Sequence, residues 1–279
     1  MVAATSCGRA DSDRDATASN LMEPLQVTYR DGLEVDVYHP EEDMMLRDVV
    51  VVMVHGCCGD RRDLRPLAEA IAGRGATVVN ADVRALGDGG GWPQTYLDVS
   101  CLIGWADIEI RQELDDARLV VVAWSDGALV ASTVALGWQT FADAAVGDGC
   151  PGPLPSTGAD VIVGISGHYG WTGAVPDHLD TDRAAEWFGG TAESGAIGWT
   201  HGNPGWWVVN DEVVRTTNFV LLGTIDDRNT EWFGDRLVEH AIPVELTLLE
   251  RGSHDALILP HGNMGTRALG LIEEVLARG

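Results

Sequence analysis

A serine beside a glycine, in a stretch of small residues, is the feature of this sequence that points most directly to chemistry. Ser125 lies in LVVVAWSDGALVA, where an apolar run precedes Trp-Ser-Asp-Gly and small apolar residues follow. Strand, tight turn and helix in this order form the context of the G-x-S-x-G nucleophile elbow. Ala123 replaces the first glycine and Gly127 keeps the second. The pattern predicts that Ser125 is a nucleophile, and a turn serine without chemistry is the alternative.

A serine hydroxyl becomes a nucleophile only when a base accepts its proton and an acid orients that base. The apolar run NFVLLG leads to Asp226 and Asp227, and VELTLLERGSHDAL places His254 in a polar loop after a later apolar run. Serine, acid and histidine follow one another in this order in proteins that use the elbow. We predict His254 as the base, with Asp226 and Asp227 competing for the role of the acid.

The stretch HGCCGD follows an apolar run and can supply a second part of such a site. Attack on an ester carbonyl creates an oxyanion, which backbone N–H groups must stabilise. One donor is the residue after the serine, Asp126, and the other comes from the loop after an early strand. We predict that Cys57 and Cys58 supply this second donor. A metal site is the alternative, but adjacent side chains diverge, and a vicinal disulfide is a further alternative in an oxidising compartment.

The remaining cysteines are Cys7, Cys101 and Cys150, and none forms a C-x-x-C pair. Five scattered cysteines in 279 residues do not resemble a disulfide framework or a zinc site. We expect Cys101 and Cys150 to be unpaired small hydrophobic residues. The sequence implies no metal and no organic cofactor.

The composition is strongly acidic and limits the class of partner. The 43 acidic residues outnumber 18 basic residues, all of them arginine, for a formal net charge of -25. This excess disfavours nucleic acid and anionic membranes as partners. No apolar run approaches the length of a membrane span. The composition leaves the oligomeric state open.

Residues 1–22 are polar, small and acidic, and we expect them to be a disordered tail. ATSC followed by a polar tether is similar to the end of a lipoprotein signal, although Ala4 stands where leucine is usual. The tail favours an extracytoplasmic location over a cytoplasmic one. The protein would be secreted, or anchored by a lipid on Cys7 if the natural start lies upstream.

The periodicity of the rest of the chain predicts the elements that must position these residues. LQVTYRDGLEVDVYHP alternates on both sides of Asp31-Gly32, as a β-hairpin does. Unbroken apolar runs, typical of strands buried on both faces, occur at 49–54, 76–80, 119–123, 161–165, 219–222 and 244–249. Helical spacing appears between them, at Leu64 to Ile71, Val99 to Ala106 and Ala268 to Val275. We predict one doubly wound α/β domain over 23–279, with a mostly parallel sheet.

One segment, 167–211, interrupts the alternation of strands and helices. It is rich in glycine, contains five of the ten tryptophans and has no long periodic stretch. A long insertion between two strands is typically a lid or a binding loop. The alternative is that its tryptophans only fasten the insertion to the sheet.

From about Val49 onward the chain resembles the serine esterases of the α/β-hydrolase fold, in the acetyl-esterase and feruloyl-esterase-like branch related to hormone-sensitive lipase. The resemblance is carried in order by HGCCGDRRDLRPLAEAIAGRG, VVNADVRALGDGGGWPQTYLDV, AWSDGA, GISGHYGW, EWFGGTAE, LLGTIDDRN and RGSHDAL. It implies Ser125 as nucleophile and His254 as base. It also implies Asp226 as acid, since the family's aspartate follows the strand's glycine by three residues. The family's HGGG-like oxyanion loop corresponds to residues 55–58.

The resemblance implies a carboxylic ester hydrolase that acts on small-molecule or polymer-derived esters through an acyl-enzyme. A peptidase, an amidase or a polyester-degrading enzyme with the same triad is the alternative, and a non-catalytic ligand-binding protein is a further one. Cys57 and Cys58 replace glycines of the family pattern, and Asp126 adds a charge beside the nucleophile. We expect that charge to raise the pKa of a nearby protonated histidine and to disfavour anionic substrates.

Overall fold

The computed structural model describes residues 23–40, 48–56, 58–114, 116–169, 181–209 and 217–278. The predicted tail with Cys7, the loop residue Cys57, and residues 170–180 and 210–211 of the predicted insertion lie outside the described residues. No helix in the described ranges is long and apolar enough to cross a membrane.

The described residues form one eight-stranded sheet in the order β1-β2-β4-β3-β5-β6-β7-β8. The strands β1 and β2 pair antiparallel, as do β2 and β4, and all other neighbours pair parallel. The strands are β1 Leu25–Arg30, β2 Leu33–Tyr38, β3 Val49–Val54, β4 Thr77–Ala81, β5 Arg118–Trp124, β6 Val161–Ile165, β7 Asn218–Thr224 and β8 Val244–Leu249. The predicted mostly parallel sheet and its N-terminal hairpin are confirmed.

Helices cover both faces of the sheet, so its central strands are apolar on both sides. The helices are α1 Arg61–Ala72, α2 Gln94–Glu109, α3 Asp126–Leu136, α4 Trp138–Gly147, α5 Thr181–Phe188, α6 Gly198–His201, α7 Pro204–Val208, α8 Arg228–Glu239 and α9 Asn263–Ala277. One core cluster packs α1 and α9 against the sheet, and the other packs α2, α3, α4 and α8 against the opposite face. All six residues of β3 are buried, as its unbroken apolar sequence predicts.

The prediction that Cys101 and Cys150 are unpaired is wrong, because a disulfide joins them. Cys101 lies in α2, and Cys150 follows the end of α4. Their Cα atoms are 5.6 Å apart although the residues are separated by 49 positions in the chain. The packing of α2 beside α4 creates this proximity, which cysteine spacing alone does not encode.

The described part of the insertion consists of α5, α6, α7 and a short 3-10 helix, and its tryptophans fasten it to the domain. Trp187 is buried and donates from Nε1 to the hydroxyl of Tyr96 in α2 at 3.1 Å. Trp207 is also buried, and its ring lies 5.4 Å from that of Phe141 in α4. Burial of large aromatic side chains contributes strongly to packing. These contacts hold the insertion at two positions, and its role as a lid or binding loop stays a prediction.

Candidate active site

Ser125 occupies a strained turn between β5 and α3. Its φ of 59° and ψ of -127° lie where residues with a Cβ rarely occur. Such a conformation costs of order 1–3 kcal/mol and persists only where the surroundings hold it. The backbone N–H of Ser125 donates to the carbonyl of Ile165 in β6 at 2.9 Å, which fixes the turn against the sheet. The sequence pattern AWSDGA thus has the geometry of a nucleophile elbow.

Two glycines allow the elbow to close against the end of β3. A Cβ added to Gly127 would lie 2.3 Å from the carbonyl oxygen of His55, and one added to Gly56 would lie 3.1 Å from the Cβ of Ser125. The first distance is shorter than any real contact permits. Ala123, which replaces the first glycine of the motif, is fully buried without disturbing the turn. The elbow therefore requires glycine at position 127, where the second glycine of the motif is present.

The structure brings Ser125 and His254 into hydrogen-bond contact. His254 begins a short 3-10 helix after β8, and its Nε2 lies 2.8 Å from the Oγ of Ser125. The indole ring of Trp124 lies 5.3 Å from the imidazole, and its Nε1 is 3.4 Å from the His254 carbonyl. A neutral His254 can accept the serine proton across this distance.

Burial lowers the pKa of His254, and the neighbouring His168 lowers it further. The carboxylates of Asp255, Asp126 and Asp227 act in the opposite direction without outweighing these effects. The net shift favours the neutral imidazole near pH 7, which is the form a general base needs.

The two candidate acids line the same cavity as His254 but have other partners. The Asp226 side chain is 56% exposed, and its carboxylate lies 3.5 Å from Nε of Arg251. Asp227 caps α8, where its carboxylate accepts from the backbone N–H and the hydroxyl of Thr230 at 3.1 and 2.7 Å. Within the described part of the chain, neither carboxylate is hydrogen bonded to His254. The assignment of Asp226 as the acid therefore stays a prediction.

One predicted oxyanion donor, Asp126, directly follows the serine. Asp126 is the first residue of α3, where backbone N–H groups have no carbonyl partner within the helix. The Nε2 atom of His55 accepts from the N–H of Val83 at 3.2 Å, so Nδ1 carries the proton and donates to the Gly56 carbonyl at 2.7 Å. This buried histidine fixes the start of the loop. Cys58 is exposed and Cys57 lies outside the described residues, so the second donor stays a prediction.

The sequence did not reveal the groups that surround the carboxylate of Asp126. This side chain is 2% exposed, with Oδ1 2.9 Å from Nδ1 of His168 and Oδ2 2.6 Å from Nη2 of Arg183. His168 follows β6, and Arg183 lies in α5 of the insertion. The only sequence signal was their presence in the irregular segment 167–211. The predicted rise in a histidine pKa is found at His168, whereas that of His254 is lowered.

A cavity of about 200 Å³ opens beside His254. Ser166 and His168 line it from the end of β6, and the segment between β7 and α8 lines the other side with Thr224, Asp226, Asp227, Arg228 and Asn229. The cavity lies at the carboxyl end of the parallel strands, where open α/β sheets bind ligands.

Comparison with solved structures places these features in a known architecture. The thermophilic esterase Est2 of the Planctomycetes species Thermogutta terrifontis, with butyrate bound, matches with a TM-score of 0.70 and 17% identity, over 91% of this chain and 93% of that chain. Est2 phosphonylated by sarin matches with a TM-score of 0.70 and 17% identity, over 91% of this chain and 94% of that chain. Esterase B from Lactobacillus rhamnosis (HN001) matches with a TM-score of 0.70 and 14% identity, over 87% of this chain and 79% of that chain.

The sequence matches no family model and no curated protein. At identities of 14% and 17%, the structural similarity establishes the fold. The mostly parallel eight-stranded sheet of this chain, with its N-terminal hairpin, agrees with this fold. The chain therefore adopts the α/β-hydrolase fold of these esterases.

Proposed function

We propose that this protein is a serine hydrolase that cleaves carboxylic esters through an acyl-enzyme intermediate. The observation that carries the proposal is the 2.8 Å contact between Ser125 Oγ and His254 Nε2 at a strained elbow. The fold is shared with esterases, one of which is described as phosphonylated by sarin. We place the function in the domain 23–279, with 167–211 as a lid-like insertion. The relation to the hormone-sensitive lipase branch is part of the proposal.

In the first half of the reaction, Ser125 Oγ attacks the acyl carbon while His254 Nε2 accepts its proton. The backbone N–H of Asp126 and an amide of the loop at Cys57 and Cys58 stabilise the oxyanion. The protonated His254 then gives its proton to the departing alcohol. In the second half, His254 activates a water that hydrolyses the acyl-enzyme and releases the acid. Asp226 is the proposed orienting acid.

The cavity beside His254 is small. Its volume of about 200 Å³ is below the range of about 300–1,000 Å³ that holds drug-sized ligands. Est2 structures are described with propionate and with butyrate bound. We therefore propose short-chain carboxylic esters, free or released from a polymer, as the substrates to test first.

The test measures hydrolysis of p-nitrophenyl acetate and butyrate, and labelling by a fluorophosphonate probe, in the wild type and in Ser125→Ala. We expect kcat/KM to fall by at least about 10³-fold in the variant and labelling to be lost. Ser194→Ala is the control, because this exposed serine lies in the short 3-10 helix of the insertion. Equal labelling of wild type and Ser125→Ala would refute the assignment of the nucleophile. Faster turnover of matched anilides than of esters would favour an amidase.

A further inference from the structure

The imidazole of His254 has a second histidine against it. The ring of His168 is nearly parallel to that of His254, with an angle of 15° between their planes and 5.1 Å between their centroids. The indole of Trp124 also contacts His254, at 5.3 Å and 39°. Two aromatic neighbours thus restrain a ring whose Nε2 must remain aimed at Ser125.

The position of His168 is itself fixed. Its Nδ1 donates to Oδ1 of Asp126 at 2.9 Å, because a carboxylate can only accept in this contact. Arg183 of α5 donates to the other oxygen of the same carboxylate at 2.6 Å. The buried carboxylate of Asp126, the residue after the nucleophile, therefore links His168 to α5 of the insertion.

The backbone before His168 is also held in an unusual conformation. Ser166, the residue after β6, has a φ of 47° and is buried. Its N–H donates to the carbonyl of Leu222 in β7 at 2.8 Å, so the strained residue is tied to the sheet. Strain of this kind collects where a side chain must be aimed precisely. Here it directs the chain so that His168 lies beside His254.

We propose that His168 is a positioning residue for ester hydrolysis, which keeps the His254 ring in the orientation that places Nε2 on Ser125 Oγ. The inference rests on the proposed function. Among the described residues neither candidate acid is hydrogen bonded to His254, and ring contacts with His168 and Trp124 supply the restraint that the structure shows. His168 acts through His254 and touches no reacting atom.

The groups around the pair shift the pKa values of the two histidines in opposite directions. Burial lowers the pKa of His168, but the charge and the hydrogen bond of Asp126 outweigh it and raise the pKa. Arg183 lowers the pKa of His168, and Asp227 raises it. His254 has its pKa lowered by burial and by His168, against the effects of Asp255, Asp126 and Asp227.

This arrangement extends toward lower pH the range over which the imidazole of His254 is neutral. The positive charge on His168 disfavours a second proton on His254, so His254 accepts protons only below its ordinary pKa of about 6.5. The same repulsion makes protonated His254 a stronger acid toward the departing alcohol. The wild type should therefore retain its kcat/KM down to a pH below about 6.5, and lose activity as the pH falls further.

Two substitutions of His168 separate the effect of its aromatic ring from the effect of its charge. His168→Phe keeps an aromatic ring but carries no charge, and His168→Ala removes both. We expect the acid limb of the pH profile of kcat/KM to move to higher pH in both variants. At pH 8 we expect His168→Ala to lose kcat by roughly 10- to 100-fold with little change in KM, because a misplaced base costs up to about 10²-fold. His168→Phe should recover most of this kcat.

The control is His261→Phe, which alters an exposed histidine after the 3-10 helix and should change neither kcat nor the profile. Thermal unfolding of each variant shows whether it is folded, and His168→Phe decides the outcome if His168→Ala is not. An unchanged acid limb and unchanged kcat in active His168 variants would overturn the positioning role alone. A wild type that neither hydrolyses esters nor reacts with the fluorophosphonate would overturn the proposed function as well.

Discussion

The Asp126 carboxylate is buried directly after the nucleophile, between His168 and Arg183. The sequence predicted that this charge would raise a histidine pKa, and it does so at His168. At His254 burial and the neighbouring His168 prevail, and the pKa falls. That a carboxylate raises a histidine pKa follows from the residue type of Asp126. Which histidine has its pKa raised depends on contacts between segments that are distant in the chain. The predicted discrimination against anionic substrates stays a prediction, and the contacts of His168 and Arg183 with the Asp126 carboxylate oppose it.

Gly127 is the single residue on which the geometry of the elbow depends most directly. A Cβ at this position would lie 2.3 Å from the His55 carbonyl, and backbone cannot move aside cheaply. We expect Gly127→Ala to lower the free energy of unfolding by about 1–3 kcal/mol, as overpacking does, and to reduce kcat. Urea unfolding and ester hydrolysis measure the two effects.

The matched control is Gly270→Ala, because Gly270 lies inside α9 with open space around its missing side chain. Alanine is the better helix former, so this variant should gain about 1 kcal/mol of stability with unchanged kcat. Equal effects of the two substitutions would contradict the steric account of the elbow.

At the scale of elements, apolar patterning predicted the long strands and helices but not the short ones. The helices α1 and α9 follow the predicted apolar spacing, since each buries one face against the sheet. The helices α5, α6 and α7 have only four to eight residues, which is too short for a periodic pattern to be evident. Aromatic contacts with α2 and α4 help to hold this region.

The disulfide between Cys101 and Cys150 links α2 to the end of α4, and we expect it to stabilise the domain. A cross-link of this span restricts the unfolded chain, and such bonds contribute typically about 2–4 kcal/mol. The double variant Cys101→Ala/Cys150→Ala should therefore unfold at a lower urea concentration than the wild type.

Reductant provides the internal control for the disulfide. Dithiothreitol should lower the unfolding midpoint of the wild type toward that of the double variant and leave the double variant unchanged. A Cys58→Ser variant should respond to reductant like the wild type, because Cys58 is not part of this bond. An identical midpoint for the wild type with and without dithiothreitol would contradict the stabilising role.

For the whole molecule, the net negative charge is a property that affects stability independently of the fold. A net charge of -25 creates self-repulsion, which opposes the compact state. Salt screens such repulsion, with a Debye length of about 10 Å at 0.1 M and about 3 Å at 1 M. The domain should therefore be more stable as the salt concentration rises.

This expectation is measured as the thermal unfolding midpoint between 0.01 and about 0.5 M salt, a range over which screening changes strongly. Sodium chloride and potassium chloride should raise the midpoint equally, because screening depends on ionic strength. A midpoint that falls with added salt would show that attractive ion pairs outweigh the repulsion.

Sequence patterns were enough to predict the sheet, its hairpin and the elbow at Ser125. These features depend on local patterns, because strands buried on both faces require unbroken apolar runs and a tight turn requires small residues. The sequence also pointed to His254, which the structure places 2.8 Å from the serine. Local pattern did not distinguish Asp226 from Asp227 as the acid, because the two residues are adjacent in one loop. Their different side-chain partners become evident in the folded chain.

Contacts between residues that are distant in the chain became evident from the packing of the folded protein. The disulfide spans 49 positions, and His168 reaches both Asp126 and His254 from the end of a different strand. Neither contact leaves a periodic trace in the sequence, because each depends on how helices and loops pack around the sheet. Local patterns therefore specified the scaffold and the nucleophile, and packing specified the groups that surround and tune the base.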